Sequence, residues 1–167
     1  MTQPNLLLLS SSKYRDTGYL LHAKPVLETF VGADMDEILF IPYANAAKQY
    51  DLYETKVTEA LNGLGVRVQS IHHASDPVAA IHSAKAIAIG GGNTFALLSR
   101  IKDAGLIDPI RQVVGNGTPY IGWSAGANVA CPTISTTNDM PICQPADLDA
   151  LGLIPFQINA HFIEGQI

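Results

Sequence analysis

The residues Gly122-Trp123-Ser124-Ala125-Gly126 form a G-x-S-x-G motif that could supply a nucleophilic serine. A short apolar stretch precedes this motif, and small helix-forming residues follow it. This order is typical of a nucleophile elbow, in which a sharp strand-to-helix turn exposes the serine. N–H groups at the start of the following helix would stabilise a developing oxyanion. Because the motif also occurs by chance, its surroundings decide whether Ser124 is catalytic.

A serine hydroxyl becomes a good nucleophile only when a nearby base removes its proton. His161 follows an apolar stretch near the chain end, where a further strand is expected to reach the serine. We therefore predict that His161 is the general base. His72 and His73 are the next candidates, although an ordinary surface position is the favoured interpretation for both.

A third group usually orients the base of such a pair. Asp139 lies between Ser124 and His161, which gives the Ser–Asp–His order of α/β-hydrolases. We predict that Asp139 is this acid, with Asp147 and Asp149 as alternatives in a polar turn. A role for Asp139 in a turn or helix cap is the simpler alternative.

The three glycines at 90–92 close another apolar stretch. They do not fit a dinucleotide loop, because Phe95 occupies the last glycine position of G-x-G-x-x-G. We predict that this loop donates one backbone N–H to an oxyanion hole, and that Ala125 donates the second. Gly91 and Asn93 are candidate cleft residues. Close packing of a strand against a helix is the alternative role for these glycines.

Alternating strand and helix patterns must position these residues. Strands are predicted at 5–10, 37–41, 66–71, 86–89, 119–122 and 156–159, and helices at 20–30, 49–64, 76–83, 94–101 and 107–114. In the third of these helices, Asp76 is the predicted cap and Pro77 occupies the first turn. This alternation predicts a single domain with a parallel α/β sheet between two helix layers. Ligands of such sheets bind beyond the carboxyl ends of the strands, so the loops at 10–12, 90–94 and 122–126 should share one cleft.

Two further expectations concern the ends of this pattern. The continuous apolar run at 5–10 predicts a strand that is buried on both faces. The proline-rich segment at 131–155 predicts an irregular loop with one helical turn near 148–151. A long loop inside a compact domain is usually functional.

Composition excludes several classes of function. The chain has 167 residues and a net charge of −5, and it has no basic run, so nucleic acid is not an expected partner. The four leucines near its start are too few to span a membrane. Cys131 and Cys143 show no metal-ligand spacing and are expected to be reduced thiols. The pair His72-His73 with Asp76 does not have a recognisable ligand spacing either, so we predict no metal and no cofactor.

Five ordered motifs together resemble peptidase family S51, the peptidase E family of alpha-aspartyl dipeptidases. They are Gly90-Gly91-Gly92-Asn93-Thr94-Phe95, Ile121-Gly122-Trp123-Ser124-Ala125-Gly126-Ala127-Asn128, Cys131-Pro132-Thr133-Ile134, Thr136-Thr137-Asn138-Asp139-Met140-Pro141 and Gln157-Ile158-Asn159-Ala160-His161-Phe162. The resemblance implies a cytoplasmic, metal-free serine peptidase with a fold similar to class I glutamine amidotransferases. It also implies that the substrate is a small peptide with an N-terminal aspartate (Asp-Xaa), and that the protein is a monomer or homodimer without a membrane partner.

The resemblance assigns the nucleophile to Ser124, the base to His161 and the oxyanion donors to the backbones of Gly92 and Ala125. The acid is either Asp139 or a glutamate downstream of the histidine. Members of the family continue past that histidine by several dozen residues, so we expect the chain to lack C-terminal strands. The alternatives are a related serine hydrolase, such as an esterase or a cyanophycin-type peptidase, and a catalytically impaired fragment of the same fold.

Overall fold

The structure, a computed structural model, describes residues 3–162. Within these residues, one parallel sheet contains β1 (Leu6–Leu9), β2 (Glu37–Ile41), β3 (Arg67–Ser70), β4 (Ile87–Ile89) and β5 (Tyr120–Trp123). The strand order is β1-β5-β4-β2-β3. The helices are α1 (Lys24–Val31), α2 (Tyr50–Ala60), α3 (Pro77–Ser83), α4 (Thr94–Asp103), α5 (Ile107–Gly115) and α6 (Ala125–Asn128). Short 3-10 turns occupy Leu21–Ala23 and Ile71–His73. The predicted parallel α/β fold is confirmed.

The core lies on both faces of the sheet because successive side chains of a strand point to opposite sides. In β2, Ile38 and Phe40 face one apolar cluster, whereas Leu39 and Ile41 face the other. Helices α1 and α2 cover the first face, and α3, α4 and α5 cover the second. The central strands are therefore buried on both faces, as the predicted sandwich requires.

Side-chain caps fix the starts of two helices. Asp76 Oδ1 accepts a hydrogen bond from the Ala79 N–H at 3.0 Å, and α3 then begins at Pro77 as predicted. Asn93 Oδ1 accepts from the Ala96 N–H at 3.0 Å and caps α4. Such caps satisfy backbone donors that a helix leaves free in its first turn. The Asn93 cap matters for function because this residue directly follows the glycine loop.

Three predictions about the chain ends were wrong. β1 is only partly buried, because it pairs with β5 alone within the described residues. Residues 156–159 do not form a strand, because the backbone of Ile158 does not bond to a neighbouring strand. The Ile158 N–H donates to Cys131 Sγ, and the Ile158 carbonyl accepts from the Thr136 hydroxyl. The expected helical turn at 148–151 is replaced by an antiparallel bridge between Thr133 and Asp149.

Two smaller findings complete the description. Cys131 is buried, Cys143 is partly exposed, and both thiols are free, as predicted. Among residues 3–162, no helix is both long enough and apolar enough to cross a membrane.

The carboxyl ends of β1, β2, β4 and β5 lie at the same edge of the sheet, which is where the candidate site is built.

Candidate active site

Ser124 occupies the sharp turn between β5 and α6. Its backbone has φ 54° and ψ −114°, a conformation that side-chain-bearing residues seldom adopt. Strain of this kind costs on the order of 1–3 kcal/mol and is often found at active sites. The Ser124 N–H donates to Leu9 O at 3.0 Å, so the sheet itself holds the turn in place. The predicted sharp strand-to-helix turn with a serine at its tip is thus present.

The two glycines of the motif permit this turn to pack against the sheet. A Cβ added to Gly126 would lie 2.0 Å from the carbonyl oxygen of Ile89 in β4. A Cβ added to Gly122 would lie 2.5 Å from the carbonyl oxygen of Gly126. That same carbonyl accepts a hydrogen bond at 2.7 Å from the hydroxyl of the buried Tyr120. Helix α6 can therefore approach the strands this closely only because both positions are glycine.

His161 reaches the serine from a segment without regular secondary structure. Its Nε2 lies 2.7 Å from Ser124 Oγ, which is hydrogen-bond distance for proton transfer. The His161 N–H donates to Ser10 Oγ at 2.8 Å, and Asn138 Nδ2 donates to the carbonyl of Ala160 at 3.1 Å. Side-chain hydrogen bonds therefore position the candidate base. The structure does not bring His72 or His73 to this place, since both contact α2.

The glycine loop lies directly against the serine. A Cβ added to Gly91 would be 2.9 Å from Ser124 Cβ, and Gly92 has a φ of 141° with the carbonyl of Ala44 next to it. Neither the Gly92 N–H nor the Ala125 N–H donates a hydrogen bond to any residue in the described range. Two unused N–H groups beside a serine are what an oxyanion hole requires.

A chain of hydrogen bonds links the elbow to this loop. Trp123 Nε1 donates to the Tyr19 hydroxyl at 2.8 Å, which donates to the Tyr53 hydroxyl at 3.0 Å. The Tyr53 hydroxyl then donates to the Gly91 carbonyl at 2.8 Å. Burial raises the pKa of both Tyr19 and Tyr53, so each phenol keeps the proton that it donates. This series of hydrogen bonds holds the glycine loop in a fixed place relative to Ser124.

A cleft of about 590 Å³ opens in front of these groups. It is lined by Ser12, Tyr19, Ala44, Asn45, Ala46, Ala47, Gln49, Leu52, Tyr53, Lys56, Gly91, Gly92, Asn93 and Ser124. The loops at 10–12, 90–94 and 122–126 thus meet in one cleft, as predicted. Gly91 and Asn93 both line it, but the Asn93 side chain is occupied, because its amide nitrogen donates to Met140 O at 2.8 Å.

Asp139 lies elsewhere in the site. Its Oδ2 accepts hydrogen bonds from the Thr94 N–H at 2.7 Å and the Thr94 hydroxyl at 2.6 Å. Within residues 3–162, no hydrogen bond joins its carboxylate to His161, or His161 Nδ1 to any acceptor. Asp139 therefore anchors the start of α4, next to the glycine loop. Its role as the orienting acid stays a prediction.

Two substitutions of Asp139 separate these roles. Asparagine keeps an acceptor for Thr94, so we expect Asp139→Asn to retain stability. A change in kcat of less than about tenfold in this variant would assign Asp139 to anchoring α4 alone. Alanine removes both hydrogen bonds to a charged acceptor and should lower the free energy of unfolding by about 1.5–3 kcal/mol. Urea unfolding and steady-state kinetics measure the two effects. A fall in kcat of about 10⁴-fold in a stable Asp139→Asn variant would instead identify Asp139 as the acid.

Sequence reasoning missed three contributors to this site. Tyr19 and Tyr53 hold the glycine loop, and Asn138 holds the segment before the base. Asn138 lies inside one of the five motifs, but that motif did not indicate this role. Tyr53 lies on α2, where its ring packs against Phe40. The polar run at 136–139 was the available signal, since it turned out to hold both α4 and the segment before His161.

Comparison with known proteins identifies the family. The profile of peptidase family S51 matches residues 6–166. The chain belongs to peptidase family S51. It is therefore an enzyme, a serine peptidase, and thus a hydrolase.

Several curated relatives carry the name peptidase E. The protein from Haemophilus influenzae strain KW20 is 52% identical over 164 residues, which are 98% of this chain and 75% of that relative. The protein from Escherichia coli O6:K15:H31 strain 536 is 50% identical over 157 residues, covering 94% of this chain and 68% of that relative. The chain therefore corresponds to about three quarters or less of the length of each.

Solved structures show the same fold. A crystal structure of a protein assigned as a peptidase E from Listeria monocytogenes EGD-e superposes with a TM-score of 0.74 at 29% identity, covering 93% of this chain and 78% of that one. A peptidase from an acI-B1 actinobacterium gives a TM-score of 0.63 at 18% identity, covering 91% and 66%. The predicted fold class, similar to class I glutamine amidotransferases, is confirmed.

Proposed function

We propose that this S51 peptidase is a dipeptidase that cleaves Asp-Xaa through an acyl-enzyme formed on Ser124. One observation carries the proposal: Ser124 Oγ, in a strained elbow, lies 2.7 Å from His161 Nε2. A hydroxyl at this distance from an imidazole can transfer its proton as it attacks a carbonyl. The dipeptide substrate and the individual roles below rest on this arrangement and on the charge of the cleft.

The reaction follows from the positions of the groups. Ser124 Oγ attacks the peptide carbonyl while its proton passes to His161 Nε2. The N–H groups of Gly92 and Ala125 stabilise the oxyanion of the tetrahedral intermediate. The intermediate collapses as His161 returns the proton to the leaving amine, and the C–N bond breaks. Water then attacks the ester with His161 as base and releases aspartate.

Lys56 is our candidate for recognising the aspartyl side chain. It projects from α2 into the cleft that contains Ser124, and its ammonium lies 4.2 Å from the centre of the Tyr19 ring. Among the described residues that line this cleft, Lys56 is the one charged side chain, and none is a carboxylate. An acidic substrate side chain would therefore meet a cation and no opposing charge.

The leaving amino acid belongs on the other side of Ser124. His161 must protonate the leaving amine, so that amine has to lie on the histidine side. There a second cavity of about 780 Å³ is lined by His161 together with Lys13, Arg15 and His22. Its two cations would attract the carboxylate of the leaving residue. This arrangement favours a substrate that ends one residue after the scissile bond.

A substrate panel tests the proposal with Lys56→Met. An ionic hydrogen bond is worth about 1.5–3 kcal/mol, so kcat/KM for Asp-Leu should fall about 10- to 100-fold. The kcat/KM for Asn-Leu should change much less, because the side chain of that substrate carries no charge that could pair with Lys56. Lys24→Met, on α1 outside the cleft, is the matched control and should behave as the wild type.

The same panel contains the competing functions. Faster hydrolysis of an aryl ester than of Asp-Leu would indicate an esterase. Faster hydrolysis of β-linked aspartyl peptides would indicate a cyanophycin-type peptidase. An equal loss on Asp-Leu and Asn-Leu in Lys56→Met would remove Lys56 from the recognition of aspartate. The cytoplasmic location and the monomeric or homodimeric state stay predictions.

A further inference from the structure

A second cluster of polar side chains lies outside the cleft, at the carboxyl end of β3. His72 and His73 lie in the 3-10 turn that follows this strand, and Asp51 and Glu54 lie on the facing side of α2. Each of the four offers a nitrogen or oxygen, and these ligand atoms all lie within 4.8 Å of one another. The mechanism proposed above does not use any of these four residues.

The spacing of the ligand atoms fits a small metal ion. His72 Nε2 lies 2.9 Å from Asp51 Oδ1, and His73 Nε2 lies 2.8 Å from Glu54 Oε2 and 3.6 Å from Asp51 Oδ1. A tetrahedral zinc ion with bonds of about 2.0–2.1 Å separates its ligand atoms by about 3.3–3.4 Å. These three distances lie on both sides of this value, and the remaining pairs of ligand atoms lie within 4.8 Å of one another. Rotations of the side chains, two of which are exposed, would bring the four ligand atoms to the spacing that the ion requires.

Outer hydrogen bonds already orient two of the four ligands. The buried Ser70 hydroxyl lies 2.6 Å from His72 Nδ1, which leaves His72 Nε2 facing the cluster. The Ser70 N–H donates at 2.7 Å to Glu54 Oε1, which leaves Oε2 facing it. Metal-binding histidines and carboxylates in proteins characteristically have such outer partners.

We propose that Asp51, Glu54, His72 and His73 form a zinc site. Two imidazoles and two carboxylates suit Zn²⁺, and four protein ligands leave no open position for substrate, as in structural zinc sites. The ion would join α2 to the turn after β3. Since α2 also carries Tyr53 and Lys56 into the cleft, the site would stabilise the wall of the cleft without taking part in the reaction.

The sequence prediction of no metal considered a different acid. It paired His72 and His73 with Asp76, which the structure places at the cap of α3. Asp51 and Glu54 are about twenty residues earlier in the chain. Their spacing of three residues puts them on one face of α2, but only the packing of α2 on β3 brings that face to the histidines.

Calorimetric titration of the tag-free, chelator-treated chain with Zn²⁺ tests the proposal. We expect one ion per chain in the wild type. Losing even an outer partner of a ligand typically lowers metal affinity by about 10- to 100-fold, so Ser70→Ala should fall in this range and His73→Ala should lose at least about 100-fold. His73 is half-exposed, so its removal should not prevent folding, and the melting temperature without metal verifies this.

Two control variants decide where the ion binds. His82→Ala changes an exposed histidine of α3 and should bind Zn²⁺ as the wild type does. His161→Ala should also bind normally. Absence of binding in the wild type, unchanged affinity in His73→Ala, or loss of binding in His161→Ala would each overturn the proposal.

Discussion

Replacing Ser124 with alanine is expected to lower kcat for Asp-Leu by about 10⁶-fold, as for other serine peptidases that lose their nucleophile. KM should change little, because Lys56 and the glycine loop remain in place. The reason is chemical: without Oγ no acyl-enzyme forms, and His161 has no hydroxyl to deprotonate. Steady-state kinetics measures the loss, and covalent labelling by a fluorophosphonate gives an independent readout.

Ser83→Ala is the matched control for this experiment. Ser83 lies at the end of α3, where its hydroxyl donates to the helix backbone, so the variant should keep both activity and labelling. Activity of Ser124→Ala within tenfold of the wild type would contradict the assignment. Failure of the wild type to label at Ser124 would support the alternative of a catalytically impaired fragment.

Replacing Gly126 with alanine is expected to disrupt both the fold and the site. The new Cβ would lie 2.0 Å from the carbonyl oxygen of Ile89, a backbone atom of a central strand that cannot move alone. Overpacking of this kind costs about 3 kcal/mol or more of the free energy of unfolding. Displacing α6 by even about 1 Å would also move Ala125 and Ser124, with a loss in kcat of about 100-fold.

Urea unfolding and kinetics on the same samples test this expectation. Gly115→Ala, at the end of α5, is the control, because an added Cβ there meets no atom within 4 Å. Its stability should stay within about 1 kcal/mol of the wild type. A wild-type stability for Gly126→Ala would show that the contact between α6 and β4 is looser than the geometry indicates.

The sequence sufficed for the fold wherever hydrophobic period and turn residues agreed. Strand β2 was predicted with its observed bounds, and the predicted start of α3 at Asp76-Pro77 was correct. Residues within each segment decide both features. The prediction of a strand at 156–159 was wrong for the opposite reason. It has the apolar composition of a strand, but whether such a segment joins a sheet depends on a neighbouring strand, and its backbone bonds to Cys131 and Thr136 instead.

In the candidate site too, some features could be predicted from the sequence and others could not. The proximity of Ser124 and His161 could be predicted because their order and their places after apolar segments constrain them, whereas their catalytic roles stay predictions. The partner of Asp139 could not, because Thr94 lies 45 residues away and only tertiary packing brings the two together. The same holds for Lys56, whose place in the cleft depends on how α2 lies across the sheet.

Ser124 is held more firmly in the structure than His161. The serine is built into the sheet, whereas the segment before the histidine is tied down by side chains, chiefly Ser10, Thr136 and Asn138. Segments with few backbone bonds open locally at much smaller energetic cost than core strands do. The contact between Ser124 and His161 can therefore come apart while the sheet stays intact. If His161 is the base as proposed, a folded sample can hold a population of molecules that are inactive because the histidine is out of place.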